Sequence, residues 1–249
     1  MMAEIPILVA HRGYAAHWPE NTLPGLDAAV AAGARWVEVD MQLTADGVPV
    51  LLHDANLERV AGRDASLFDL TAAALADLPV GEPARFGARF AQLRAPTLEA
   101  FATWLAGQPG VTAFVELKQE SITQYGPLAV VDACMHAMVA ARGRWAPISF
   151  DYEALALAGD AGAGPLGWVV RGFDEEIAAL ARALPARWLF CNHERLPAGP
   201  LPRGPWEWVI YEVADAALAH SLLGRGARWL ETQAVGELRR ALDATGAAP

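Results

Sequence analysis

Glu38 and Asp40 stand two residues apart in WVEVDM (36–41). Residues i and i+2 of a β-strand share a face, so a strand here turns both carboxylates the same way. Glu116 and Lys118, in VELK, repeat that spacing further along the chain. Three carboxylates with no cysteine among them suit a hard cation such as Mg²⁺ or Ca²⁺. The same charges can also pair as salt bridges on a rim, but two such strand ends favour the cation. His11 ends one apolar run and His53 another. Two imidazoles near a metal suggest a general base and a general acid. Arg12 is placed to grip phosphate oxygens in a bidentate manner or to pair with a local acid. Gly13 permits close backbone approach.

The elements that position these residues are short apolar strands alternating with Ala/Leu-rich helices. Strands are predicted at 5–10, 36–41, 112–117, 146–150, 166–171, 187–191, 208–213 and 227–231. Helices are predicted at 22–33, 97–106, 127–142, 152–158, 174–184, 214–224 and 234–244. The strands are apolar on both faces, as in a parallel sheet covered by helices. Eight of them make the count of a closed (β/α)8 TIM barrel of α/β class, with a doubly wound open sheet as the alternative. Active sites of such barrels lie at the C-terminal strand ends, where His11, Asp40 and Glu116 fall. The ninth strand, VPVLLH (48–53), follows too closely for a helix to intervene. A two-residue turn at Asp46-Gly47 would make it a hairpin return that sets Asp40 opposite His53. Glu20-Asn21-Thr22 precedes an apolar helix, with Asn21 or Thr22 as its N-cap. Residues 54–96 lack clear periodicity and read as a rim excursion, so that the β-hairpin and this excursion both follow the second strand.

The 249 residues fit one domain spanning 1–249. A formal charge of −10 argues against a nucleic-acid partner or a membrane-surface binder. Cys134 and Cys191 lie far apart in apolar surroundings and read as buried thiols. No uncharged apolar run reaches the roughly 18 residues of a membrane span, and MMAEIPILVAHRG is not a secretory signal. A cytoplasmic protein without stable membrane insertion is the expectation. The oligomeric state is open. There is no Gly-rich nucleotide loop and no nucleophile elbow, and Ser149 has no base beside it in sequence.

HRG…PENT, then VEVDMQLTADGVPVLLHD, then VELK, in this order and spacing, resemble the glycerophosphodiester phosphodiesterases. The likeness is strong over 7–60, resumes through APTLEAF and 113–118, and weakens beyond ISFDYEAL. It implies a TIM barrel that hydrolyses glycerophosphodiesters to glycerol 3-phosphate and an alcohol, with a small-molecule phosphodiester as partner. It also implies that Glu38, Asp40 and Glu116 hold one divalent cation, that His11 and His53 are the acid/base pair, that Arg12 contacts phosphate and that Lys118 adds positive charge. The C-terminal half departs from the family. A Trp-Thr-x-Asn-like strand is replaced by Trp208–Glu212, and a terminal Thr-Asp by Glu231-Thr232. The expectation is that Glu212, Glu231, Phe150, Tyr152, Trp168 and Tyr211 shape the alcohol side, where an acid beside aromatics suits a cationic head group. Two alternatives stand beside the main reading. One is phospholipase D-like action on a lysophospholipid, entering over Phe68, Phe86 and Phe90. The other is a non-catalytic phosphate-ligand binding protein.

Overall fold

The structure, a computed structural model, describes residues 6–246. Nine strands form one sheet: β1 (Ile7–His11), β2 (Trp36–Leu43), β3 (Pro49–Leu51), β4 (Thr112–Leu117), β5 (Trp145–Ser149), β6 (Gly167–Val170), β7 (Trp188–Asn192), β8 (Glu207–Tyr211) and β9 (Trp229–Thr232). All but β3 are parallel. The order β1-β9-β8-β7-β6-β5-β4-β2 closes on itself because β1 pairs with β2 as well as β9. This is an eight-stranded barrel with helices between its strands. Ile5, the first residue of the predicted first strand, lies outside the described residues.

Alternation along each strand sorts the side chains. Outward residues such as Leu8, Val37, Val115, Leu189 and Ile210 pack under the helices. Inward residues fill the barrel. Its lower layer is aromatic: Trp36 stacks on Phe114 at 4.9 Å between ring centroids, and Trp188 and Trp229 meet both edge-on. Gly167 leaves room for this layer, because a Cβ there would fall 2.7 Å from Ile148 and 2.8 Å from Phe190. Two residues further up the same strands the type changes. Trp36 is followed by Glu38 and Asp40, Phe114 by Glu116, and Trp229 by Glu231. Each strand therefore carries its own floor and its own site residue, fixed by a period of two.

The hairpin differs from the expected register. Met41 pairs with Leu51, Gln42 with Val50 and Leu43 with Pro49, so Asp40 stands opposite Leu52, whose amide donates to the Asp40 carbonyl at 3.1 Å. The turn takes three residues instead of two. Thr44 and Val48 close it, Gly47 adopts φ +75°, and Asp46 accepts from Thr44 Oγ1 at 2.6 Å and from the Ala72 amide at 2.9 Å. One extra residue in the turn moves the whole return strand by one place. His53 lies past the end of β3, outside the ladder, with its carbonyl held by Gln42 Nε2 at 3.0 Å.

The excursion at 54–96 is ordered around its own small core of Leu57, Val60, Leu67, Leu75 and Val80. It holds short helices at Glu58–Ala61, Ala72–Ala76 and Pro83–Phe86. Weak periodicity is what four- and five-residue helices leave in a sequence. Gln119–Tyr125 forms a further short helix, one that the sequence pattern does not announce. No helix among the described residues is long and apolar enough to cross a membrane. Both cysteines are free and buried.

Candidate active site

At the C-terminal end of the barrel, a cavity of about 160 Å³ is lined by His11, Arg12, Glu38, His53, Glu116 and Lys118 on one side. Phe150, Tyr211, Glu212 and Glu231 line the other, with Val169 and Phe190 beneath. Among the described residues, three larger clefts, beside Trp206, Tyr152 and Pro49, gather no comparable set of titratable groups.

The β1 turn is held in an unusual backbone conformation. Arg12 has φ +55° and Asn21 φ +55°, a region costly for side-chain-bearing residues though tolerated by Asn. Gly13 has φ +83°, and a Cβ there would press on the Gly25 backbone at 3.0 Å. The twist aims the Arg12 amide at Glu38 Oε2, 3.2 Å away. It also places the Arg12 guanidinium 3.1 Å from Asp40 Oδ2 and 3.3 Å from Glu20 Oε2. Thr22 caps the following helix by accepting from the Gly25 amide. Asn21 is not the cap. Its Nδ2 donates to Asp40 Oδ2 at 2.8 Å, and its Oδ1 accepts from the Asp40 amide at 3.1 Å. Asn21 is thus a site residue whose second role the cap signature hid.

Lys118 Nζ lies 3.4 Å from Asp40 Oδ1 and 3.1 Å from Glu116 Oε1. Burial alone would raise the Asp40 carboxyl, but Arg12, Lys118 and the Asn21 hydrogen bond outweigh it and hold Asp40 well below the carboxylate range. Glu38 moves the opposite way. Burial, then the charges of Asp40, Glu231 and Glu116, push it well up. Glu231 is pushed up for the same reason, burial first and Glu116 next. Burial lowers His11 to about 3, helped by the Arg12 charge. Its imidazole is therefore neutral near pH 7. His53 Nδ1 meets Asp54 Oδ1 at 2.6 Å.

The excursion braces this wall. Arg59 bonds Asp54 at 2.6 Å and both Glu20 oxygens at 2.7 Å. Glu20 in turn meets Arg12, while its amide donates to Glu82 at 2.7 Å. A chain of charges therefore runs from His53 through Asp54, Arg59 and Glu20 to Arg12. Arg59, Asp54 and Glu20 went unassigned in the sequence because this pairing spans 39 residues.

Two ion-sized groups of donors occur among the described residues: Glu38, Asp40 and Glu116, and His11, Glu38 and Glu231. In each, one ligand atom per residue lies within 4.8 Å of the others. Oε1 of Glu38 is buried without a hydrogen-bond partner, as is His11 Nδ1. An all-carboxylate set with an unsatisfied buried oxygen fits a hard divalent cation.

On the alcohol side the expected residues divide. Phe150, Tyr211, Glu212 and Glu231 reach the cavity. Trp168 does not; strand alternation turns it outward against Tyr152 at 5.5 Å, and Val169 faces the cavity in its place. Tyr152, in the first turn of the next helix, stays with Trp168 outside. Arg171 already lies over Phe150, 4.4 Å from the ring centroid, so that face is supplied with a cation by the protein itself. Ser149 Oγ donates to the Leu117 carbonyl and accepts from the Asp151 amide, a structural role. His17 bonds Glu237 outside the cavity.

The glycerophosphoryl diester phosphodiesterase family model matches residues 11–193. The chain belongs to this family. Glycerophosphodiester phosphodiesterase 1 of Bos taurus is 38% identical over 111 residues, 44% of this chain and 33% of that protein. The glycerophosphodiester phosphodiesterase of Caldanaerobacter subterraneus subsp. tengcongensis is 35% identical over 113 residues, 45% of each chain. The chain thus spans between a third and a half of these curated relatives. A solved Oleispira antarctica phosphodiesterase, in complex with the product sn-glycerol-3-phosphate, superposes with a TM-score of 0.83 at 24% identity, covering 96% of this chain and 97% of that one. The family match starts at His11, the residue that ends β1, and covers every member of the β1–β2–β4 wall. It stops before β8 and β9, where the sequence departs.

Proposed function

We propose that this chain hydrolyses glycerophosphodiesters, releasing glycerol 3-phosphate and an alcohol. The observation that carries the reading is the convergence of His11, His53, Arg12 and Lys118 on one cavity with buried carboxylates, in a chain of this family. Glu38, Asp40 and Glu116 would hold one Mg²⁺ or Ca²⁺. When bound, that ion would offset charge building on the phosphate oxygens.

The protein's own groups supply the rest. A phosphodiester monoanion repels nucleophiles, and Arg12 and Lys118 place two fixed positive charges at the cavity wall to oppose that repulsion. His11 is held neutral by burial and so offers a lone pair to the attacking hydroxyl. His53, whose Nδ1 meets Asp54 Oδ1 at 2.6 Å, is placed to give a proton to the leaving alkoxide. The aromatic floor of Trp36, Phe114, Trp188 and Trp229 fills the barrel below the cavity.

The lysophospholipid alternative gains nothing from the excursion. Phe90 is buried against Trp18 and Phe86, and Phe68 packs on Tyr125. The large exposed apolar residues among those described are Leu128, Val139 and Leu180, none of them there. A panel of glycerophosphodiesters, assayed with Mg²⁺ or Ca²⁺ and with chelator, tests the proposal through released glycerol 3-phosphate. His11→Ala or His53→Ala should cut kcat by about a hundredfold or more. Full activity in chelator would remove the cation, and a change in KM alone would turn the histidines into binding groups.

A further inference from the structure

Glu231 is the residue this site least accounts for. It stands on β9, two places above the floor residue Trp229, and is 3% exposed. β1 separates β9 from β2, with Glu231 level with Val9 on one side and Glu38 level with His11 on the other. Its carboxylate lines the cavity, and its Oε1 is buried with no hydrogen-bond partner. Leaving a buried carboxyl oxygen unmatched is costly enough that such groups normally have a counterpart.

The two cations of the site are engaged elsewhere. Arg12 pairs with Asp40 and Glu20, and Lys118 with Asp40 and Glu116. Asp40 Oδ1 and Glu116 Oε1 at least face Lys118, whereas Glu38 Oε1, like that of Glu231, is buried with neither a hydrogen bond nor an ion pair. Glu38 is also the residue within ion-sized reach of Glu231, alongside His11. In their ionised forms, Glu38, Asp40, Glu116 and Glu231 exceed Arg12 and Lys118 by two negative charges, the charge of one divalent ion. A carboxylate supplied to the alcohol side would face the mouth, as Glu212 does. Glu231 instead sits deep, beside His11.

We infer that Glu231 is a ligand of the divalent cation, so that four carboxylates from β2, β4 and β9 converge on a centre that reaches across β1. This deepens the proposed hydrolase reading and rests on its use of a cation. Glu38, shared by both donor groups, is the link between the two sides. The same position makes the departure in β9 a change in how the metal is held.

The test is calorimetric titration of the full chain with Ca²⁺, and separately with Mn²⁺ followed by electron paramagnetic resonance. Wild type should bind. Glu231→Gln, which keeps shape and removes charge, should weaken binding at least tenfold, and the Mn²⁺ spectrum should change. Glu237→Gln, on the rim beside His17, should leave both readings as they are. Should the glutamine variant fail to fold, Glu231→Leu, which continues the apolar wall, is read in the same way. Wild-type affinity and spectrum in either folded variant would overturn the inference while leaving the hydrolase reading intact. Failure of the wild-type chain itself to bind Ca²⁺ or Mn²⁺ would overturn both.

Discussion

On the β1–β2–β4 wall of the cavity, Arg12, Asp40, Glu116 and Lys118 are tied to one another within 3.4 Å. On the other flank of β1, β8 and β9 carry Tyr211 and Glu231, and Glu231 keeps an unpartnered oxygen. Apart from Glu38, the first wall pairs its charges with one another and is further clamped by Asn21, Glu20 and Arg59. The second consists of apolar surface with one deep charge. Buried charges brought in pairs make a rigid frame, whereas a lone buried charge waits for a ligand. The family match includes the first wall and ends before the second.

Breaking a pair on the framed wall gives the largest expected effect. Asp40→Asn removes the shared partner of Arg12 and Lys118. Each retains a second acid, Glu20 and Glu116 respectively, so the loss should fall near the lower end for a broken buried pair, about 3 kcal/mol. Urea unfolding in chelator measures it. A variant as stable as wild type would show that the frame depends on the Asn21 clamp and not on charge.

A smaller effect sharpens the contrast through pH. Burial, then neighbouring acids, raises Glu38 and Glu231 above the ordinary carboxylate value. A group whose folded pKa is raised favours the folded state while protonated, and that contribution is lost as pH rises through the folded pKa. Asp40 works in the opposite sense. Its depressed pKa gives stability that is present above the ordinary aspartate value and lost only in acid. In chelator, Tm should therefore decline from about pH 5 to about pH 8, on the alkaline side of ordinary carboxylates. Added Ca²⁺ should restore more at the higher pH, because binding must displace fewer protons there. An equal gain at both pH values would mean that Glu38 and Glu231 are already ionised without metal.

How much of this was legible in the sequence follows from the range of each interaction. Strand type, the Glu38/Asp40 spacing and the inward turn of Glu116 are local consequences of a period of two. The barrel count also emerged from local patterning. The hairpin register failed by one because Thr44 and Asp46 side chains rebuilt the turn, which a dipeptide signal at Asp46-Gly47 does not report. Asn21 sits beside a true cap residue and so shared its signature. Arg59, Glu20 and Asp54 meet only after the excursion folds back, and no short-range pattern announces them.

The smallest expected effect concerns Trp168, which the aromatic pattern of the sequence placed at the site. Position 168 alternates outward, while Val169 faces the cavity. Trp168 packs on Tyr152 and donates from Nε1 to the Phe150 carbonyl at 3.4 Å, a long bond. Trp168→Phe keeps most of the ring contact and gives up that weak bond. It should cost about 1 kcal/mol of stability and leave kcat and KM for every glycerophosphodiester in the panel unchanged. Phe150→Ala is the matched change on the inward face and should raise KM, since it removes cavity lining together with the ring beneath Arg171. Equal KM values for the two variants would mean that the β5 and β6 side contributes no substrate contact, leaving recognition to Arg12, Lys118 and the wall they brace.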